Sequence, residues 1–396
     1  SNNLETALWL EADRMGFLLD AVSEEKFENQ RDAVKNEKQQ NQIDQQYGLS
    51  YEILGQTLYP PSHPYNWPVI GYVDDLDRAT LQDLKDFFLR WYGPNNAILT
   101  IAGDVDPAEV MKLVNKYFGT IQKGPDVRRM RQNVPRLTSD VYTEYTDNIY
   151  LPMTDMVFPT IPNYHKDEAP LDILASLMGQ GNNSIFYKNF VKSGKAIQAV
   201  VYNPCRELSG EFHFTVISYP NWQEDQKKYY NDIESLIRSS ILEWEQSGFT
   251  DEQLEMVKMN MESEIINRKM SLSSKVSSIS SWEWLARGKH NITSEIKRYN
   301  DVSREDVMRV FNKYIKNKKS VIMRVKPKNP FSNEELKLES FNPNADLILK
   351  NDPQYDGLVY NKPVDNFDRS IQPTPGKSKS PIIPDYYQHD FDNGVQ

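Results

Sequence analysis

The feature that most constrains this chain is a pattern that it carries twice. Thr80-x-x-Asp83-Leu84-x-x-x-Phe88-x-x-Trp91 precedes the apolar run NAILTIAG (Asn96 to Gly103), and Ser303-x-x-Asp306-Val307-x-x-x-Phe311-x-x-Tyr314 precedes KSVIMRV (Lys319 to Val325). Each copy reads as a helix opened by a hydroxyl N-cap with an acid three residues on, an aromatic pair one turn apart, and a closing apolar strand. The two copies are offset by 223 residues. Repeat periods of about 20–50 residues signify solenoids, whereas this one has the length of a domain, so the chain is expected to hold two versions of one domain. Any capped amphipathic helix before a strand could match by chance, but here four positions and the following strand agree.

The repeat carries a second expectation. The second copy starts near Ser139, roughly 165 residues before its capped helix, and the first has only about 80 residues before its own. If the copies are alike, roughly 85 residues of the first copy lie ahead of Ser1, so the first copy is truncated.

Composition narrows the class. At 396 residues the chain has room for two or three domains. A net charge of −10 argues against nucleic acid or an anionic membrane as partner, since both need a basic face. The single cysteine, Cys205, excludes an internal disulfide framework and a cysteine zinc cluster. No apolar run approaches the roughly 20 residues that span a bilayer, so no membrane span is expected.

Along the chain, residues 3–50 read as two helices, the second with Phe27, Ala33 and Val34 as its apolar stripe. The proline-rich YPPSHPYNWP (Tyr59 to Pro68) reads as a loop. Helices follow to about Tyr92 and from Pro107 to Tyr117, with NAILTIA as a buried strand between them. Residues 119–138 are polar and basic with two prolines, a linker. Strands are expected near Val141–Tyr145, Thr154–Phe158, Ala196–Tyr202 and Glu211–Ser218, with helices at Pro170–Met178, from Ser184, at Glu224–Gln246 and at Thr250–Met270. Residues 327–396 lack periodicity and read as an extended Pro-rich tail or interdomain linker.

Several stretches together resemble the insulinase/pitrilysin-type zinc peptidases, whose signature is His-x-x-Glu-His. They are LETALWLEADRM (Leu4 to Met15), QRDAVKNEKQQ (Gln30 to Gln40), HPYNWPVIG (His63 to Gly71), DLKDFF with WYGPNNAILTIAGDVDP (Asp83 to Pro107), and GQGNNSIFYKNFVKSGKAIQAVVY (Gly179 to Tyr202). The resemblance spans residues 1 to about 326. It implies an α+β fold, a duplicated metallopeptidase-type domain in which each copy is an antiparallel sheet flanked by helices. On this division residues 1–118 are the C-terminal part of a first domain, 119–138 a linker, 139–326 a second homologous domain and 327–396 the tail. It also implies peptide substrates and a second peptidase-like half, in the same or another chain, that closes on the first like a clamshell.

In the family, zinc is held by the two signature histidines and by a glutamate about 75 residues downstream, while the signature glutamate activates the metal-bound water. The downstream segment corresponds to Gln30-Arg31-Asp32-Ala33-Val34-Lys35-Asn36-Glu37. The resemblance therefore places Glu37 on the ligand position, and Gln30 where the family has a supporting glutamate. Read from the residues alone, Glu37 lies one turn beyond Ala33 and Val34 on an apolar side, where an unpaired carboxylate is costly and a metal would resolve the cost. Against this stands an exposed glutamate on a solvated face between Lys35 and Lys38.

None of the histidines, His63, His165, His213, His290 and His389, lies in the signature or in a His-Glu-x-x-His arrangement. Counting back from Glu37 places the signature near 40 residues before Ser1, inside the stretch that the repeat implies is absent. No catalytic residue is therefore expected in this chain, and zinc only in the intact protein. His63 reads as a turn residue, His213 as a residue of the alternating strand EFHFTVIS, and His165, Asp167 and Glu168 as solvated loop residues. Cys205 has no histidine partner nearby in sequence. Where the family's non-zinc half carries an arginine and a tyrosine facing substrate, this chain has Ile185 and Ile197. That points to a structural second domain within a zinc-bearing half. Two functions follow: part of a zinc metallopeptidase, inactive as this chain alone, or a non-catalytic structural or interaction subunit on the same fold. A bacterial periplasmic or envelope location is expected from the style of the relatives.

Overall fold

The computed structural model describes residues 3–329, 338, 340, 342, 353–376, 385 and 388–394. The first unit is helical: α1 (Leu4–Gly16), α2 (Leu18–Ala21), α3 (Glu24–Lys38), α4 (Ser50–Leu58), α5 (Val73–Arg78), α6 (Leu81–Trp91) and α7 (Pro107–Phe118). Helices α1 and α7 close a small core of Leu8, Ala12 and Tyr117, with Trp9, Leu113 and Ile101 packed on it. The run NAILTIA departs from the strand expected for it. Among the described residues it pairs with no strand, and Ile98 and Leu99 are 40% and 48% exposed. An apolar β-branched run specifies an extended chain, but a strand exists only where a neighbour takes its backbone hydrogen bonds.

The second unit holds the sheet: β1 (Val141–Asp147), β2 (Met153–Thr160), β3 (Ala196–Tyr202), β4 (Gly210–Ser218) and β5 (Val321–Pro327). The order is β1-β5-β2-β4-β3. Three of the ladders are antiparallel, and β1 runs parallel to β5 in the register Val141↔Val321 to Asp147↔Pro327. A parallel pair needs a crossover connection. Here nearly the whole unit forms it, bringing the unit's first and last strands side by side.

Helices α8 (Glu168–Gly179), α9 (Gln226–Ser247), α10 (Asp251–Arg268), α11 (Leu272–Ala286), α12 (Ile292–Asn300) and α13 (Arg304–Tyr314) complete the unit. The main core joins Met156, Phe158, Phe212, Phe214 and Val216 of the sheet to Ile173 and Leu174 of α8, Ile237 of α9 and Val307, Val310 and Phe311 of α13. The other face is covered as well. Met153, Val157, Val321, Met323 and Val325 pack against Leu54 and Leu58 of α4 and against Tyr59. With both faces covered, β2 and β4 are buried almost residue by residue. Thr80–Asp83 and Ser303–Asp306 form reciprocal capping boxes, as the repeated pattern requires.

Residues 119–137 hold no regular structure, but Arg129 stacks on the Trp284 ring of α11 at 4.6 Å. The described part of the tail also has little regular structure, yet it lies on the first unit. Trp9 Nε1 donates to the Arg369 carbonyl at 3.0 Å, Trp91 Nε1 to the Tyr355 hydroxyl at 3.0 Å and Thr120 Oγ1 to Asp365 at 2.7 Å. Composition could not show this strap, because its anchors are single side chains without a period.

Candidate functional site

Helix α3 carries the predicted metal position. Ser23 caps it, Glu24 and Glu25 occupy its first turn, and Lys35 and Lys38 its last, each favourable to the helix dipole. Its packed face runs through Phe27, Arg31, Val34 and Lys38, at helical spacing. Arg31 lies 4.9 Å from the Phe27 ring centroid and donates to the carbonyls of Leu76 and, at 2.8 Å, Ala79. Lys38 is fully buried. Its Nζ meets Glu52 Oε2 at 2.9 Å and the Gly71 carbonyl at 2.8 Å, and Ser340 donates to the other Glu52 oxygen at 2.6 Å.

The flank of the helix beside this stripe presents Gln30, Ala33 and Glu37, all exposed. The expectation that Glu37 sits on the apolar side is therefore corrected. The carboxylate points to open space because the charged-looking Arg31 and Lys38, with Phe27 and Val34, make the packed stripe. Gln30 and Glu37, two turns apart, share this flank. Among the described residues Glu37 has no ion pair, and no group of three histidine, cysteine or acidic side chains is placed to hold a metal ion. A catalytic zinc takes three protein ligands and a water. The described residues therefore do not make up a zinc site, and Glu37 supplies at most one ligand.

The five histidines stand apart from this face. His63 is buried against the Tyr59 and Tyr65 rings at 4.5 and 4.9 Å, and its Nδ1 accepts from the Tyr65 amide, the turn role expected of it. His290 lies on Tyr164, and His389 on Phe391. His165 is half-buried and accepts from the Asp167 amide at 3.0 Å. Its neighbours overturn the solvated reading. Asp167 is completely buried, bound by Arg309, Lys313 at 2.8 Å and Tyr314 at 2.7 Å. Burial would raise its carboxyl, but these donors hold it well below the carboxylate range. Glu168, also buried, takes Arg298 at 2.6 Å. The cations that bury both acids come from α12 and α13, over 120 residues away in sequence, so no local pattern announces them.

A second constellation escaped the sequence reading altogether. On β4, Phe212, Phe214 and Val216 face the helices, and Glu211, His213 and Thr215 face the other way. That polar face is buried too. His213 Nδ1 lies 2.9 Å from Asp155 Oδ2 on β2, and its Nε2 lies 3.1 Å from Glu211 Oε2. Burial pulls the imidazole pKa down, and the two carboxylates overcome it, pushing it up to about 9. Asp172 on α8, half-buried, accepts from Tyr299 at 2.8 Å and Asn203 at 2.9 Å, and desolvation with the charge of Glu168 pushes it up to about 7. Burial also drives the Cys205 thiol well up, which makes it a poor nucleophile. Ile185 packs against the main core and Ile197 is 53% exposed on β3, so neither position offers a hydrogen-bond donor in its side chain. The alternation of EFHFTVIS was the one available sign of a polar face. It could not show that the face is covered.

The sheet with its covering helices, and a helical unit bearing an outward carboxylate, define a peptidase-type fold rather than a self-sufficient catalytic centre. The family model described as the Peptidase M16 inactive domain matches residues 78–261, from the end of α5 into α10. The zinc protease PqqE of Helicobacter pylori is 28% identical over 335 residues, covering 82% of this chain and 72% of that protein. The solved structure of a protease from Helicobacter pylori superposes with a TM-score of 0.70 at 26% identity, covering 82% of this chain and 77% of that one. The first half of the periplasmic protease PqqL from Escherichia coli shares the fold, with a TM-score of 0.65 at 14% identity, covering 86% of this chain and 77% of that one. By these matches the chain is similar to the insulinase-type M16 peptidases in sequence and in fold. Among the described residues no helix is long and apolar enough to cross a membrane.

Proposed function

We propose that this chain is part of a zinc-dependent metallopeptidase that hydrolyses peptides between two peptidase-like halves, and that Glu37 is one of its zinc ligands. One observation carries the reading: Glu37, on the family's ligand position, projects an unpaired carboxylate from a helix whose packed face is fixed by Arg31 and Lys38. A helix held in this way can present a ligand without moving. The metal, when bound, would polarise the scissile carbonyl and activate water. The other ligands would come from a His-x-x-Glu-His that this sequence does not contain. The chain divides into residues 1–118, a linker at 119–138, a second homologous domain at 139–326 and the strap that follows. The named location of the PqqL relative supports a periplasmic or envelope setting.

A second reading is a non-catalytic subunit on the same fold, favoured by Gln30, which stands where the family has a glutamate. The experiment that separates them is expression of the gene with its upstream coding sequence, followed by zinc analysis and digestion of a peptide mixture. Stoichiometric zinc and cleavage support the peptidase. A full-length protein with neither is the subunit.

A further inference from the structure

The covered polar face of the sheet can do something that the peptidase reading does not require. Glu211 Oε1 accepts from the Tyr59 hydroxyl at 2.7 Å and pairs with Arg206. Arg206 also reaches the Tyr51 hydroxyl, and its guanidinium lies 3.8 Å from the Tyr65 ring centroid. Tyr51 lies in α4, and Tyr59 and Tyr65 in the loop behind it, so the chain Asp155–His213–Glu211–Arg206 runs from the sheet into the first unit. Thr215 Oγ1 donates to the second Asp155 oxygen at 2.7 Å, and the Tyr202 ring stacks on His213 at 4.5 Å and 10°.

An ionised carboxylate only accepts hydrogen bonds, and a neutral imidazole has a single N–H. With carboxylate oxygens at both ring nitrogens, a neutral His213 would satisfy one and oppose a lone pair to the other. We propose that His213 is held as an imidazolium and acts as a proton-dependent latch, through Glu211, between the sheet and the α4–Tyr65 segment. With the proton in place, two buried acids face two cations and every charge is paired. Without it, one negative charge is left over in a site that excludes water. The slack appears where the network is most open, at Arg206 and at Tyr51 of the first unit.

The groups facing the imidazole are Asp155 on β2, Glu211 on its own strand and Tyr202 on β3, with Tyr59 and Arg206 one contact further. Burial drives both tyrosines well above their ordinary range, and Glu211 lies below its own, so none of these three competes with His213 for the titration. His63, against Tyr59, is pulled down by burial and by Arg206, away from the range in which His213 titrates. The folded value of about 9 lies above the ordinary 6.5. The latch therefore contributes fully below pH 6.5, and its contribution fades as pH rises from there through about 9.

The test uses the whole chain labelled with 15N at histidine, together with hydrogen exchange corrected for intrinsic rates. The His213 ring is expected to show two protonated nitrogens at pH 7 and to titrate near 9. Protection over residues 50–66 is expected to fall at least about tenfold between pH 6 and 9.5, while α13 keeps its own. Tyr59→Phe should loosen residues 50–66 at pH 6 without moving the ring's titration, and His213→Gln should loosen them at every pH. A neutral ring at pH 7 overturns the proposal, as does pH-independent protection of residues 50–66 in the parent. Both of those readings hold even if His213→Gln fails to fold.

Discussion

Helices α6 and α13 are built from the same local instructions and end in different places. Both are eleven residues long, both open with a reciprocal capping box, and both put a phenylalanine at the eighth position. In α13, Val307, Val310 and Phe311 are wholly buried, and the run that follows becomes β5, between β1 and β2. In α6, Phe88 lies at the rim of a cavity of about 330 Å³, and the run that follows finds no partner among the described residues. Cap and periodicity decide that a helix forms. What it packs on is decided by chain far away in sequence. The local repeat is real in both copies, and the domain equivalence it suggests rests on the proposal above.

The largest effects should fall where the two helices differ. Phe311 packs on Trp244 with ring centroids 5.1 Å apart, so Phe311→Ala should cost about 3–5 kcal/mol. Phe88, also buried, has Tyr92 stacked at 5.2 Å and lines the cavity, so Phe88→Ala should cost less, about 3 kcal/mol. Urea unfolding of the two variants reads the gap. Equal losses would mean that α6 has a partner as complete as that of α13.

A comparable loss is expected inside α3. Lys38→Met removes the cation that neutralises buried Glu52, and stranding that carboxylate should cost about 3–5 kcal/mol, less whatever Ser340 recovers. The paired change Lys38→Met with Glu52→Leu should restore much of it. If the single variant unfolds at the parent's midpoint, Lys38 is not the anchor of this helix.

The caps should behave alike. Thr80→Ala and Ser303→Ala each remove one N-cap acceptor and should each cost about 1 kcal/mol, distinguishable by amide exchange in the first turn of each helix. A much larger loss at Ser303 would show that the α13 cap also holds the core together.

The legible part of the molecule follows from these contrasts. Five of the six strands read from sequence, the capped helices and the proline-rich loop were set by patterns a few residues long, and they are where they were expected. Helix α11 went unread because serine dilutes its period, and α12 because it is only nine residues long. The strand at NAILTIA was read from a run that needs a partner that no local pattern can supply. At the candidate site the failure is of one kind. Charged residues were assumed to be at the surface, yet Lys38, Asp167, Glu168 and Asp155 are buried, each with a counter-charge from another element, and Glu211 is buried against nearby Arg206. Pairing of that sort leaves no periodic trace.

The smallest stability effect and the sharpest functional one meet at the residue beside Lys38. Glu37→Gln keeps length and shape on an exposed helix face, and Gln is nearly as good a helix former, so stability should stay within about 0.5 kcal/mol of the parent. If Glu37 is a zinc ligand of the full-length protein, the same change removes a negative donor, and metal affinity should fall by more than the 10–100-fold typical of groups that only support a ligand. Gln30→Glu, two turns back on the same face, restores the family's residue and should leave metal binding unchanged or tighter. The pair separates a surface glutamate from a ligand, because chemical denaturation sees neither change and a zinc titration sees a loss at only one. A full-length Glu37→Gln protein that binds zinc and cleaves peptides like its parent would remove Glu37 from the site and, with it, the alignment of α3 on the family's ligand helix.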